Sequence, residues 1–594
     1  MARLNKKNKI IIGIAVCIVA GLVITGYVLA YRYKAIIHKV LPVAMADATD
    51  SLYRISVKNV SINMLNRSVT LKGVHLWADS TEVARRTHDS TSKPIYLDVR
   101  VPRLTVSGIM WDKLTGGEGY SCSEFSIIRP EITIYKTDSM LTIYDTANGP
   151  PIEREFSAGV IKLVKGKIRY ALHTNDDTST LSFNGCHIVL NDWKLSDESL
   201  KERGRILLAE YARSDIASLV YAPRNSDYTF SANNIRFNSG DNNLTARDIH
   251  LKPRLSDETL FKKMDRQKEI YRLDFPTLEL TNIDRSKLLH EGELHASAIY
   301  LNHCKLDILM NRKLPPNTKS KMGNYPNQLL YKLKLPVYIE KLKINNGSLT
   351  YAEIIEKTGQ KGTINFTDIK GSVNNITNIP GHVAKDAYAT VKLEGKFNKY
   401  TDIKATFRFL LNDPIGSFTM YAEMGSLQNR QINEQAKAFS MIELKSFNMK
   451  SMNLQLKGDE HGAQGNFTML YNNLGIRILK KPENIEDGKR KKGLLTFIAN
   501  NMVLYSNNPM PGEEVRKVQT KVERDEMKSF FNLVWKNILQ GVQATAIRDL
   551  EVIDWIRNNE QEAADKNTQI REFFTKDRKE RKERRQKKRE QNQN

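Results

Sequence analysis

A chain of 594 residues is long enough to bury a large core, and only four cysteines in that length exclude a small domain held together by disulfides. A formal net charge of +24 invites a nucleic-acid reading. However, lysine and arginine are scattered through the body and cluster densely only in residues 573–594, so no nucleic-acid partner is expected.

The amino terminus opens with Arg3, Lys6, Lys7 and Lys9, followed by 21 uncharged residues from Ile10 to Ala30. At about 1.5 Å per residue this run reaches roughly 31 Å, enough for a bilayer core. The pattern predicts a transmembrane anchor over residues 10–31 with residues 1–9 in the cytoplasm. The bland alternative is a buried soluble helix. A cleaved signal peptide is the other, with Ala44 and Ala46 as a small-residue site, but Arg32, Lys34, His38 and Lys39 intervene. Cys17 lies inside the apolar run, while Cys122, Cys186 and Cys304 have no close-spaced partner and read as packing residues.

From Tyr53 onward apolar residues recur at every second position, as in Tyr53, Ile55 and Val57, then Val60, Ile62 and Met64. That is the period of strands with one apolar face. The pattern occurs twice. Residues 59–76 (NVSINMLNRSVTLKGVHL) align without a gap with residues 234–251 (NIRFNSGDNNLTARDIHL). Further on, Pro102, Leu104, Ile132 and Ile134 meet Pro276, Leu278, Leu306 and Ile308, and Ile161, Leu163, Gly166, Ile168 and Phe183 meet Leu342, Ile344, Gly347, Leu349 and Phe366. Spacing and turn residues repeat, with no charged or nucleophilic cluster among them, so the duplicated object is architectural. We place one β-repeat at residues 50–225 and the other at residues 226–400. Segments near 110–117 and 283–290 break the alternation as short helices or turns, and residues 197–222 carry a helical reading.

Alternation continues through residues 401–508, punctuated by Gly416, Gly458 and Gly465, and changes at Pro509 and Pro511. Phe530, Val534, Ile538, Val542 and Ala546 then follow an i, i+4 spacing inside an amphipathic segment at residues 525–558. It reads either as a helix packed over the sheet end or as one lying on a membrane surface. The charged tail at residues 565–594 reads as a solvated helix or disordered segment, with anionic headgroups as the alternative partner.

Nothing advertises catalysis. HExxH, GxSxG, GxGxxG, an EF-hand loop and paired CxxC are all missing, and GVIKLVKGKI at residues 159–168 has the wrong glycine spacing for a phosphate loop. His75 and His250 occupy equivalent repeat positions but have no second ligand in sequence, so they read as hydrogen-bonded strand histidines. Asp112 and Asp284 read as turn residues. No enzyme activity, cofactor or metal is expected.

The anchor followed by SLYRISVKNVSINMLNRSVTLKGVHL, with paired strands leading to a turn at Gly73, resembles the AsmA-like family of double-membraned bacteria, relatives of the TamB and bridge-like lipid-transfer group. So does MNLQLKGDEHGAQGNFTMLYNNLGIRIL, through Gly458, Gly465, Tyr471 and Leu474. The resemblance implies a mainly β protein: an elongated antiparallel β-sheet trough, a repeating β-groove, with an N-terminal transmembrane helix and C-terminal helices. It implies an inner-membrane, single-pass protein with its bulk in the periplasm, partnered by phospholipids and by an outer-membrane or envelope protein. Roughly thirty strands at about 4.8 Å each would extend on the order of 140 Å at most, shortened by twist, turns and helices.

Exposing a sixteen-carbon chain to water costs roughly 13 kcal/mol at about 0.8 kcal/mol per methylene, and a continuous apolar lane removes most of that barrier. Candidates for its lining are Ile132, Ile134, Leu306, Ile308, Leu342, Ile344, Phe467 and Met469. Periodicity alone does not separate such a groove from a closed sandwich core; the resemblance favours the groove. The alternatives are a scaffold assisting outer-membrane protein assembly and, least favoured, an envelope-polymer enzyme.

Overall fold

Alternating sequence becomes sheet over almost the whole described chain. A computed structural model describes residues 41–47, 49–89, 95–110, 119–136, 154–174, 177–200, 202, 204–224, 226–356, 359–479 and 504–548, and is mainly β. The expected anchor at 10–31, the segment around Trp111 and Asp112, and the tail at 565–594 lie outside these residues. Among the described residues no helix is long and apolar enough to cross a membrane.

The first strands are β1 (Tyr53–Ser56), β2 (Asn59–Asn63), β3 (Ser68–Ala78), β4 (Ile95–Ser107), β5 (Gly119–Ile128), β6 (Glu131–Lys136), β7 (Glu155–Thr174), β8 (Asp177–Leu195) and β9 (Ala209–Ala222). Next come β10 (Tyr228–Asn238), β11 (Asn243–Pro253), β12 (Ile270–Thr281), β13 (Leu294–Asn302), β14 (Lys305–Asn311), β15 (Val337–Ile354) and β16 (Lys361–Thr377). The series closes with β17 (Tyr388–Phe397), β18 (Thr401–Leu410), β19 (Phe418–Met424), β20 (Leu427–Gln428), β21 (Ile442–Gly458), β22 (Gly462–Ile478) and β23 (Lys517–Glu523). Helices α1 (Ser80–Asp89), α2 (Asp257–Lys263), α3 (Pro326–Tyr331), α4 (Pro380–Val383), α5 (Asn429–Ser440) and α6 (Phe530–Ala546) interrupt the series. A π-helical turn at Lys287–Glu291 fills the helical position expected near 283–290.

Among the described residues all 23 strands join one sheet. It is mixed, which corrects the antiparallel expectation: β5 and β6 run parallel to β7, and β13 and β14 run parallel to β15. In each case two short strands in line form one level between longer neighbours, since β4 pairs with both β5 and β6, and β12 with both β13 and β14. A parallel neighbour needs a crossover of a dozen or more residues, and the connections at 137–154 and 312–336 have that length. Because β1 and β2, and β19 and β20, likewise share a neighbour, the strands among the described residues form nineteen levels and extend about 86 Å at about 4.8 Å per step, below the 140 Å ceiling.

Two further expectations are corrected. Gly73 is not a turn; it sits inside β3 with φ +62°. The helical reading of residues 197–222 fails over 209–222, which form β9 and pair on both edges with β8 and β10. Its apolar period is broken at Ala217, so Ala212 and Ile216 precede the break and Leu219 and Tyr221 follow it with shifted parity, which disguised the strand.

Burial is uneven along the ladder. One core gathers residues from Leu41 to Ala212, including Met45, Tyr53, Val69, Leu71, Leu104 and Trp193. The other gathers Phe409, Phe418, Leu454, Phe467 and Tyr471 beneath α6, whose Phe530 and Leu533 enter it. Between them lie only small clusters, such as Leu280, Ile283, Ala296 and Ile339.

Candidate functional site

Strict two-residue alternation would put Val69 and Leu71 on one face of β3 and Val74 and Leu76 on the other. All four are buried. The left-handed residue Gly73 between them resets the parity, and opposite it Pro102 does the same in β4, where Leu97 and Val101 precede it and Leu104 and Val106 follow, again all buried.

These kinks form a line across the sheet. The register takes it from Gly73 and Pro102 to Arg129–Pro130 between β5 and β6, then to Lys165–Gly166, Gly185, Ala217 and Asn234. It continues through Asp248, Pro276, His303–Cys304 and Asn346–Gly347 to Asp368. Gly, Asn and Asp dominate because they tolerate left-handed backbone, and Gly185 is required by space as well: a Cβ there would lie 2.8 Å from the Cβ of Ala217. The backbone repeats with the sequence. Left-handed residues at 67, 73, 108, 129, 165, 185 and 192 recur at 242, 248, 282, 303, 346, 368 and 375, which are the offsets at which the two halves align.

The seam keeps apolar side chains on a single face, where direct cross-strand neighbours form lanes. One lane runs Leu97, Ile134, Tyr170, Leu181, Tyr221 and Phe230. It continues through Leu251, Leu273, Leu306, Leu349 and Phe366 to Phe397. Twelve strands contribute to it with no charged residue, over about 53 Å. A second lane on the other side of the seam passes through Leu71, Leu104, Ile127, Leu163 and Ile188. After Ser214 it resumes at Phe237, Leu244, Leu280, Ile299, Leu342, Val373, Val391 and Phe407.

The expected lining residues divide by location. Ile134 and Leu306 stand in the first lane and Leu342 in the second; Ile132 and Ile308 lie beside the first and Ile344 beside the second. All six are half-buried. Phe467 and Met469 are buried under α6, where Gly541 presses so closely on the Phe467 ring that a Cβ would lie 2.3 Å from its Cγ. Protein fills that end. In the first lane Leu97 and Phe397 are buried, whereas the ten residues between them are not, and Tyr221 is 41% exposed. Tyr170, Leu251 and Leu349, which the sequence marks only as repeat positions, and Tyr221, which it does not mark, join the lane through pairing register, which no local pattern reports.

The polar groups do structural work. His75 bonds Asp98 at 3.3 Å, and the equivalent His250 bonds Asp274. The Asp284 carboxylate accepts from the Lys287 amide at 3.0 Å, capping the π-turn. Burial pushes the Cys122 thiol up to about 12 and the Cys186 thiol up to about 11, so both are packing groups at neutral pH. Among the described residues no three His, Cys, Asp or Glu side chains are grouped to hold a metal ion. Arg524 and Glu460, both buried, pair at 3.0 Å beside the Tyr325 ring and join the 312–336 connection to the β22–β23 end.

Neither a protein-family model nor a curated protein matches this chain.

Proposed function

We propose that this is an AsmA-like, inner-membrane-anchored periplasmic protein whose kinked sheet forms a trough that binds lipid acyl chains, serving phospholipid transfer or envelope homeostasis. The observation that carries this reading is the uncharged twelve-strand lane with a half-exposed middle. Left-handed and proline kinks turn their strands, and a line of such kinks at one transverse position creases the sheet lengthwise. Along such a crease an acyl chain meets apolar contacts without a hydrogen-bond requirement, and each methylene taken from water contributes about 0.8 kcal/mol. The apolar run at 10–31 supplies the anchor in this reading, and the filled core near Leu41 and Met45 stands at the anchored end.

The test is a photocrosslinking amino acid at Leu349, Leu306 or Phe467 in the full chain, purified in mild detergent with lipid analysed by mass spectrometry. Expected are co-purifying phospholipid and lipid adducts at 349 and 306, with none at 467. Absence of phospholipid together with absence of adducts at both open positions overturns the lipid reading; protein adducts at 349 favour the assembly scaffold in its place.

A further inference from the structure

Two elements at the β22–β23 end turn apolar side chains outward although each has a buried face of its own. On α6, Phe530, Leu533, Val534 and Asn537 pack inward while Phe531, Trp535 and Leu539 form an i, i+4, i+8 stripe that is 66%, 47% and 39% exposed. At α3 and the turn after it, Leu329, Tyr331 and Leu333 are 50%, 47% and 50% exposed, interleaved with exposed Lys332 and Lys334. The elements are fastened together: the Tyr325 and Phe530 rings meet edge to face at 5.0 Å, the Lys321 amide donates to the Glu526 carbonyl at 2.7 Å, and the Tyr325 hydroxyl donates to the Asp459 carbonyl at 3.0 Å.

Charge identifies what such an end meets. Residues 308–339 contain no aspartate or glutamate but carry Arg312, Lys313, Lys319, Lys321, Lys332 and Lys334; Arg312 pairs with Glu353 and Lys321 with Glu269, and α6 adds Lys536, 4.0 Å from Asp525. Tryptophan, phenylalanine, tyrosine and leucine beside lysine stems suit the headgroup boundary of a bilayer, where rings and methyls enter the acyl region and ammonium groups stay with phosphate. A second copy of this chain is disfavoured, since it would bring the same lysines face to face.

We propose that the end face built from α3 and α6 docks on the interface of an anionic phospholipid bilayer. This deepens the lipid-transfer reading by naming the surface that meets a second membrane, and it fails separately from that reading because it does not involve the lane.

The full chain held in a nanodisc through its anchor is mixed with fluorescent vesicles of phosphatidylethanolamine containing phosphatidylglycerol, or of phosphatidylcholine alone, and vesicle capture is measured. Capture of the anionic vesicles is expected to fall at least tenfold in Phe531→Ser/Trp535→Ser/Leu539→Ser, to weaken in Lys332→Gln/Lys334→Gln, and to persist in Leu65→Ser, a control at an exposed residue on the other end. The substituted residues are exposed, and an unchanged thermal transition verifies folding of each variant. Benzoylphenylalanine at Phe531 identifies the occupant. Lipid adducts on the anionic vesicles support the proposal. Unchanged capture by the triple variant, equal capture of both vesicle types, or adducts only to a second copy or to residues 549–594 overturns it, whether or not lipid adducts form at Leu349.

Discussion

Gly185 and Asp248 perform the same task with different chemistry. Both hold left-handed backbone on the seam, but only Gly185 also lacks room for a Cβ. Gly185→Ala is therefore expected to cost about 2 kcal/mol, combining left-handed strain with overlap on Ala217. Asp248→Gly relieves strain and is expected to change stability by less than about 1 kcal/mol in either direction. Urea unfolding of the full chain in detergent measures both. The cysteines give a pH dependence at the same scale. Their thiols have an ordinary value of 9.0, but in the fold Cys122 is raised to about 12 and Cys186 to about 11. Above pH 9 the unfolded chain releases these protons while the folded chain retains them, so their stabilisation is complete below pH 9 and is lost as pH rises through the folded values. The midpoint of thermal unfolding is expected to fall between pH 9 and pH 11, and Cys122→Ala/Cys186→Ala to flatten that fall. A midpoint rising over the same interval contradicts the assignment.

Among the elements, α6 decides where the apolar face ends. Its sequence allowed two readings, a helix packed over the sheet and a helix on a membrane, and the described structure gives it two apolar sides. The inner side is seated through Gly541 on Phe467. Gly541→Leu places a side chain into that ring and is expected to destabilise the helix seat by about 2–3 kcal/mol, read as faster proteolysis near residues 524–529 and a lower unfolding midpoint, while β3 and β4 keep their amide-exchange protection. Gly541→Ala serves as the graded control, with a smaller loss in the same direction. Local pattern identified α6 because its i, i+4 spacing is uninterrupted. It missed β9 because the seam falls inside that strand at Ala217 and breaks the period just where a strand would otherwise be legible.

At the scale of the molecule, the nineteen levels among the described residues make a body about 86 Å long before twist. Small-angle scattering of the full chain in a nanodisc, with the disc matched out, is expected to give an elongated particle near that length; a maximum dimension close to 140 Å would require strands beyond those described. The filled cores at Leu41–Ala212 and beneath α6 stabilise the two ends by ordinary packing, and Ile134 and Phe366 of the lane pack against them, while the lane residues in between are only partly buried.

Sequence alone determined the mainly β class, the doubled unit and the residues of one apolar face, because two-residue periodicity and turn chemistry are local properties of the chain. It also carried the seam, in Gly73, Pro102, Gly185, Asp248 and Pro276, although the meaning of these residues as kinks emerges only once their strands are aligned. Tertiary structure decided which strands lie side by side, that β5, β6, β13 and β14 meet a parallel neighbour, and that Phe467 is covered while Leu306 is not. Those outcomes depend on pairing between residues far apart in the chain, and on where α6 comes to rest, and neither is set by the spacing of neighbouring side chains.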